Sequence, residues 1–319
     1  MCTHDEEWAY GTMDQLLRAI DVNLKPAAPK IDTASIGVPG PSIQVIKRTD
    51  SIGQSQLRFT ALVWSPLTAP LKRQLAFDMT GEPTNCATDQ ECKPKRAKFN
   101  GLLKETLLND CLADALVYEG AGSREAIRSA MVGTLMQVLE DADPSVPLVL
   151  VSSSLGSKLA FDALSVMVAT SSSGASIQAG KPAAPSKASA RLSQVFMNAN
   201  QLPILGLADQ NVAMVQAPGA QVAPSPDALQ RYLRLRQQEM PLGRLKVVAF
   251  TDPNDLLSYR LQPSRYATES VEIADVLVSN AKTYAGLIER PDIAHRNYLT
   301  NPNVATLIAC GNPKSVRCK

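Results

Sequence analysis

Histidine is nearly absent from this chain: its 319 residues hold two, His4 and His295. Chemistry that needs an imidazole therefore has two candidates. Aromatic residues are also scarce, at 5%, and no basic block is interleaved with them, which argues against a nucleic-acid surface. Charge of one sign is lacking too, since 32 Lys and Arg face 30 Asp and Glu for a net charge of +2. The short basic run Lys93-Pro94-Lys95-Arg96 reads as a solvated loop. No apolar run reaches the roughly 18 residues that suggest a transmembrane helix. No signal-peptide pattern and no internal repeat is visible. No Cys-x2-Cys pair occurs among the six cysteines, which leaves metal binding the weaker reading of them.

A hydrophobic content of 45% is that of a globular chain, and the length suits one large domain or two small ones, a single α/β domain over residues 1–319 being the preferred reading. Residues 170–190 are rich in Ser, Gly, Ala, Pro and Lys, cannot fill a core, and read as a flexible low-complexity insertion. Residues 217–226 read as a second flexible loop. Cys86 with Cys92, and Cys310 with Cys318, each flank a polar loop. Both pairs have the look of local disulfides, which favours an exported or cell-envelope setting. Cys111 lies on an apolar helical pattern and reads as a buried thiol, while Cys2 has no assigned role.

The first half of the chain reads as a helix over 5–22, strands over 42–46 and 57–64 paired antiparallel, and helices over 102–116 and 123–140. Thr3 and Glu6 have the spacing of a capping box for the first helix. From Pro147 onward, strand alternates with helix, which argues for a parallel sheet. Further strands are expected over 194–200, 245–250 and 271–278, with helical patterns over 226–238 and 304–308. The apolar segment Pro203 to Leu207 reads as core, or as the lining of an acyl pocket.

The most informative stretch runs from Val149 to Ala160. An apolar strand ends in Ser152-Ser153-Ser154-Leu155-Gly156, and a helix bearing Leu159, Phe161, Leu164 and Met167 follows at once. Small residues two before and two after Ser154 fit a sharp turn that lifts a serine hydroxyl above a sheet edge. The usual first residue of such a turn is Gly, and here it is Ser152. A Ser-rich loop is the bland reading. Ser153 is expected to point away from the site.

A serine hydroxyl needs a base within reach, and the base needs an orienting acid. Only His295 lies downstream, in a Pro-broken polar loop after the last apolar run. The acid belongs after strand 245–250, where Asp252 and Asp255 compete. Asp255 is preferred, because Leu256 and Leu257 would bury its loop. Asp252, which precedes Pro253, would shape the turn by accepting backbone N–H groups.

Three motifs in this order, Ser154 to Ser157, Asp252 to Tyr259 and His295 to Tyr298, resemble the α/β-hydrolase superfamily, in particular its lipase- and esterase-like bacterial members. The resemblance covers about residues 3 to 310. It implies a mostly parallel sheet with helices on both faces, a nucleophilic Ser154, a basic His295 and an acidic Asp255. It also implies an oxyanion hole built from the backbone N–H groups of Leu155 and a residue near Met1 or Cys2. In family members an apolar strand and a His-Gly pair precede a stretch much like Met1 to His4. The expectation is therefore a truncated start, the other reading being a divergent member with a shortened sheet. Loss of one oxyanion donor costs about 100- to 1,000-fold in rate.

The function this implies is hydrolysis of an ester or thioester, with a small-molecule or lipid ester as substrate, no nucleic-acid partner, no cofactor and no metal. The other readings are a weak or inactive hydrolase-like scaffold that binds a partner, and a structural envelope protein held by disulfides in which the serine cluster is incidental.

Overall fold

The strand-forming runs from Leu148 onward become parallel strands, and those before Trp64 become antiparallel ones. The computed structural model describes residues 2–20, 32–36, 42–52, 54–80, 96–140, 142–172, 190–210, 225–239 and 243–311. Strands β1 (Asp32–Ile36), β2 (Ile43–Ile52) and β3 (Ser55–Val63) form an antiparallel sheet in that order. The polar residues after Ile46, expected to connect two short strands, instead extend β2 and pair out to Ile52 opposite Ser55. Polar side chains are tolerated there because Arg48 is neutralised by Asp14 and Asp50.

Strands β4 (Leu148–Ser153), β5 (Leu192–Asn198), β6 (Leu245–Thr251) and β7 (Val271–Leu277) pair in parallel, in sequence order. The period of two divides their side chains between two cores. Val195, Met197, Val247 and Ala249 face one core with Phe161, Leu229 and Tyr232. Phe196, Val248 and Phe250 face the other with Leu16, Val304 and Ile308. The sheet is thus covered on both faces, an α/β arrangement. Strand β4 stands at one edge of the four-stranded sheet, with Val149 53% exposed.

Helix α1 (Glu6–Ile20) lays Ala9 and Met13 against Ile46 and Val63 of the antiparallel sheet. Its first turn is capped by Asp5, whose carboxylate accepts the Trp8 N–H at 2.9 Å. Thr3, the expected cap, is engaged elsewhere. Helix α2 (Lys98–Leu103), a π-helical stretch (Lys104–Leu112) and helix α3 (Ala113–Glu119) follow one another without a break. Helix α4 (Arg124–Glu140) precedes β4, and helix α5 (Leu155–Ser172) follows it at once. Helix α6 (Ala228–Glu239) packs on α5 through Tyr232, tilted against Phe161. The short helix α7 (Pro291–Arg296) and helix α8 (Pro302–Cys310) close the described chain.

Within Pro203 to Leu207, Leu205 is buried and Leu207 is exposed, so the segment is only partly core. No helix among the described residues is long and apolar enough to cross a membrane. Most of the low-complexity insertion, the loop from residue 217 to 224, and Cys86, Cys92 and Cys318 lie outside the described residues.

Candidate active site

Ser154 stands between β4 and α5 with a backbone φ of +54°. A left-handed conformation costs a non-glycine residue roughly 1–2 kcal/mol, so its neighbours must hold it. The Ser154 N–H donates to the Asn198 carbonyl at the end of β5 (2.8 Å), and its own carbonyl accepts the Ser157 N–H (3.2 Å). The unusual Ser152 is accommodated by hydrogen bonding: its hydroxyl lies 2.9 Å from that of Ser157 and 3.3 Å from the Phe196 carbonyl. Gly156 is less constrained than the motif suggests, because an added Cβ would only touch the Trp64 indole nitrogen at 3.8 Å.

His295 lies in the last turn of α7 rather than on an open loop, with 5% of its surface exposed. Pro291 starts that turn with a fixed φ, and the buried Asp292 braces it by pairing with Arg290 and Arg296. The Asn280 side chain donates to the Ala294 carbonyl at 2.9 Å and joins the helix to the segment after β7.

The two aspartates after β6 separate cleanly. Asp255 places both carboxylate oxygens against His295 Nδ1, at 2.9 and 3.0 Å. It also accepts the Leu257 N–H at 3.0 Å and the Tyr298 hydroxyl at 3.0 Å. Asp252 accepts the backbone N–H groups of Asn254 (2.9 Å) and Asn280 (2.6 Å). Tyr298 ties the two together, since its oxygen also accepts the Asp252 N–H at 2.8 Å. Burial and the adjacent Asp255 carboxylate push the Tyr298 hydroxyl pKa well up, so it remains a proton donor. A histidine with Nδ1 on a carboxylate keeps Nε2 free to exchange a proton.

Ser154, Leu155, His295 and Cys2 line one pocket, together with His4, Trp8, Trp64, Ala199, Tyr298 and Leu299. Ser153, expected to face away, also contributes to its lining. The residues that reasoning from sequence placed in one site are thus brought together across about 290 positions (His295 minus Cys2).

One wall of this pocket was not foreseen. Cys111, read as a free buried thiol, is in a disulfide with Cys2. The Thr3 N–H and hydroxyl donate to Asp110, and Lys72 donates to Thr3 (3.0 Å) while pairing with Asp110 (2.7 Å). The His4 N–H donates to the Ser65 hydroxyl at 2.9 Å. Residues 2–4 are therefore strapped beside the pocket by side chains far away in sequence. The His4 ring stacks on Trp8, with centroids 3.8 Å apart. Burial pushes the His4 pKa down to about 4, so the ring is neutral at ordinary pH. Only Tyr298 among the unforeseen lining residues carried a usable signal, as the fourth residue of the His295 motif. Cys310 is disulfide-bonded as well, and its expected partner Cys318 lies outside the described residues.

No family model, no curated protein and no solved structure matches the chain.

Proposed function

We propose that this protein is a serine hydrolase of the α/β-hydrolase type that cleaves an ester or thioester through an acyl-enzyme on Ser154. One observation carries the reading: a serine held at positive φ on a strand-to-helix turn shares its pocket with a histidine whose Nδ1 is fixed by a buried aspartate. A solvated Ser-rich loop gives no reason for that strain or for the buried aspartate.

In this mechanism His295 Nε2 takes the Ser154 hydroxyl proton as the oxygen attacks the substrate carbonyl carbon. Asp255 holds the ring tautomer and stabilises the imidazolium. The Leu155 N–H, at the start of α5 where helix N–H groups lack intrahelical partners, takes the oxyanion together with a backbone donor at Cys2. His295 then protonates the leaving oxygen or sulfur. Water, deprotonated by the same nitrogen, attacks the acyl carbon and releases the acid and Ser154. Trp8, Trp64 and Leu299 offer apolar walls for the acyl group.

Hydrolysis of a short-chain nitrophenyl ester checks the assignment. Ser154→Ala and His295→Ala should abolish turnover, and Asp255→Asn should lower kcat by about 10⁴-fold through the wrong tautomer. Asp252→Asn, which leaves the His295 partner in place, should cost far less. Full activity in Ser154→Ala would refute the proposal.

A further inference from the structure

A sulfur of Cys2, a sulfur of Cys111 and a ring nitrogen of His295 all lie within 4.8 Å of one another. We propose that, once the Cys2–Cys111 disulfide is reduced, these three residues form a binding site for a thiophilic divalent cation such as Zn²⁺, and that the bound cation switches off the serine hydrolase by capturing its base.

The donor set is right for such an ion. Two thiolates and an imidazole, with a fourth position open to water, is a known zinc environment, with Zn–S at about 2.3 Å and Zn–N at about 2.0 Å. Ligands around one such ion stand roughly 3.3–3.8 Å apart; the His295 nitrogen is already within 4.8 Å of both sulfurs, while the sulfurs, bonded to each other in the disulfide, must move apart by about 1.7 Å after reduction. Cys2 precedes α1 and lies outside any helix or strand, so its side chain can turn to open the angle between the sulfurs. The imidazole is already oriented for the purpose. Asp255 sits on Nδ1, leaving Nε2 as the ligand, and a carboxylate behind a metal-bound histidine fixes the ring and raises its basicity. All three residues line the pocket, which gives the ion a path from solvent.

The redox step balances with a phosphine, which gives two electrons to the disulfide and takes the oxygen of a water molecule whose two protons go to the sulfurs, yielding phosphine oxide and two thiols, or with a dithiol. A dithiol gives two electrons and two protons to the disulfide, producing two thiols and its own cyclic disulfide. The cation then displaces both thiol protons and coordinates the lone pair of Nε2. That is the lone pair which takes the Ser154 proton, so the switch rests on the hydrolase reading while the site itself does not.

The test uses the whole chain, reduced with a water-soluble phosphine, with its fold checked by circular dichroism. Alkylation of Cys2 and Cys111 is followed by peptide mapping, with and without Zn²⁺, so that the other cysteines do not confuse the result. Zn²⁺ is expected to slow alkylation at both positions by about 10-fold or more, and His295→Ala, reduced and checked for its fold in the same way, should remove most of that protection. Equal alkylation rates with and without Zn²⁺, or undiminished protection in His295→Ala, would overturn the site. Fluorophosphonate labelling of Ser154 is read in the same samples. It should persist after reduction and be lost only when Zn²⁺ is added. Protection of the cysteines together with unchanged serine labelling would overturn the switch. Protection without serine labelling in any state would leave the site standing and sink the hydrolase reading alone.

Discussion

At Ser154 stability and chemistry pull in opposite directions. A φ of +54° suits glycine and strains serine. Ser154→Gly should therefore be inert yet more stable than Ser154→Ala by up to about 1 kcal/mol, because the larger chain entropy lost by glycine offsets part of the relief. Thermal unfolding of the two variants measures this, and a less stable glycine variant would contradict the strain. The residues of the site were legible where each one's chemistry is scarce. With two histidines in the chain, one of them downstream, the choice of His295 was nearly forced. Asp255 and Asp252 were both visible, and their division of labour depends on which of them reaches Nδ1 across 40 positions. The pairing of Cys2 with Cys111 was not legible, since sequence spacing favours local pairs and this bond spans 109 residues.

Helix α5 does more than present Ser154. One turn in, Lys158 is 2% exposed, with its ammonium 3.3–3.5 Å from carboxylates of Glu119, Asp162 and Asp209. Arg231 of α6 meets Asp162 and Asp209 from the other side. This network fixes the helix that carries the proposed oxyanion donor. Removing its central cation leaves buried carboxylates short of compensation, so Lys158→Ala should destabilise the protein by about 3–5 kcal/mol. Denaturant unfolding reads this directly, and a loss under 1 kcal/mol would mean that water takes over the role of the ammonium. The long helices and the parallel strands were easy to foresee, because their apolar periods are regular, whereas the short helix α7 was read as a loop. Strand β2 was not, since half of its length is polar and is held by pairing to β3 and by the Arg48 ion pairs. The N-cap was missed for a related reason: Thr3 has a better partner in Asp110, 107 residues away, and Asp5 takes its place.

Across the molecule, residues 2–4 form a strap that joins the turn after β3, the π-helical stretch and the pocket. Burial of His4 in that strap has a consequence for the whole fold. Its pKa falls from an ordinary value of 6.5 to about 4, so between those values the unfolded chain binds more protons than the folded one. The contribution of His4 to stability must then decline as the pH is lowered from 6.5 towards 4, and it must recover as the pH rises. His4→Gln should flatten the melting temperature over that window, and an unchanged slope would place the titration elsewhere.

The central claim is that this strapped pocket holds an activated serine. Labelling with a fluorophosphonate probe, followed by peptide mapping of the wild type and Ser154→Ala, tests it most directly. The account predicts one modified residue, Ser154, with labelling lost in the variant and strongly slowed in His295→Ala. No labelling of the wild type, or labelling that persists in Ser154→Ala, would contradict it.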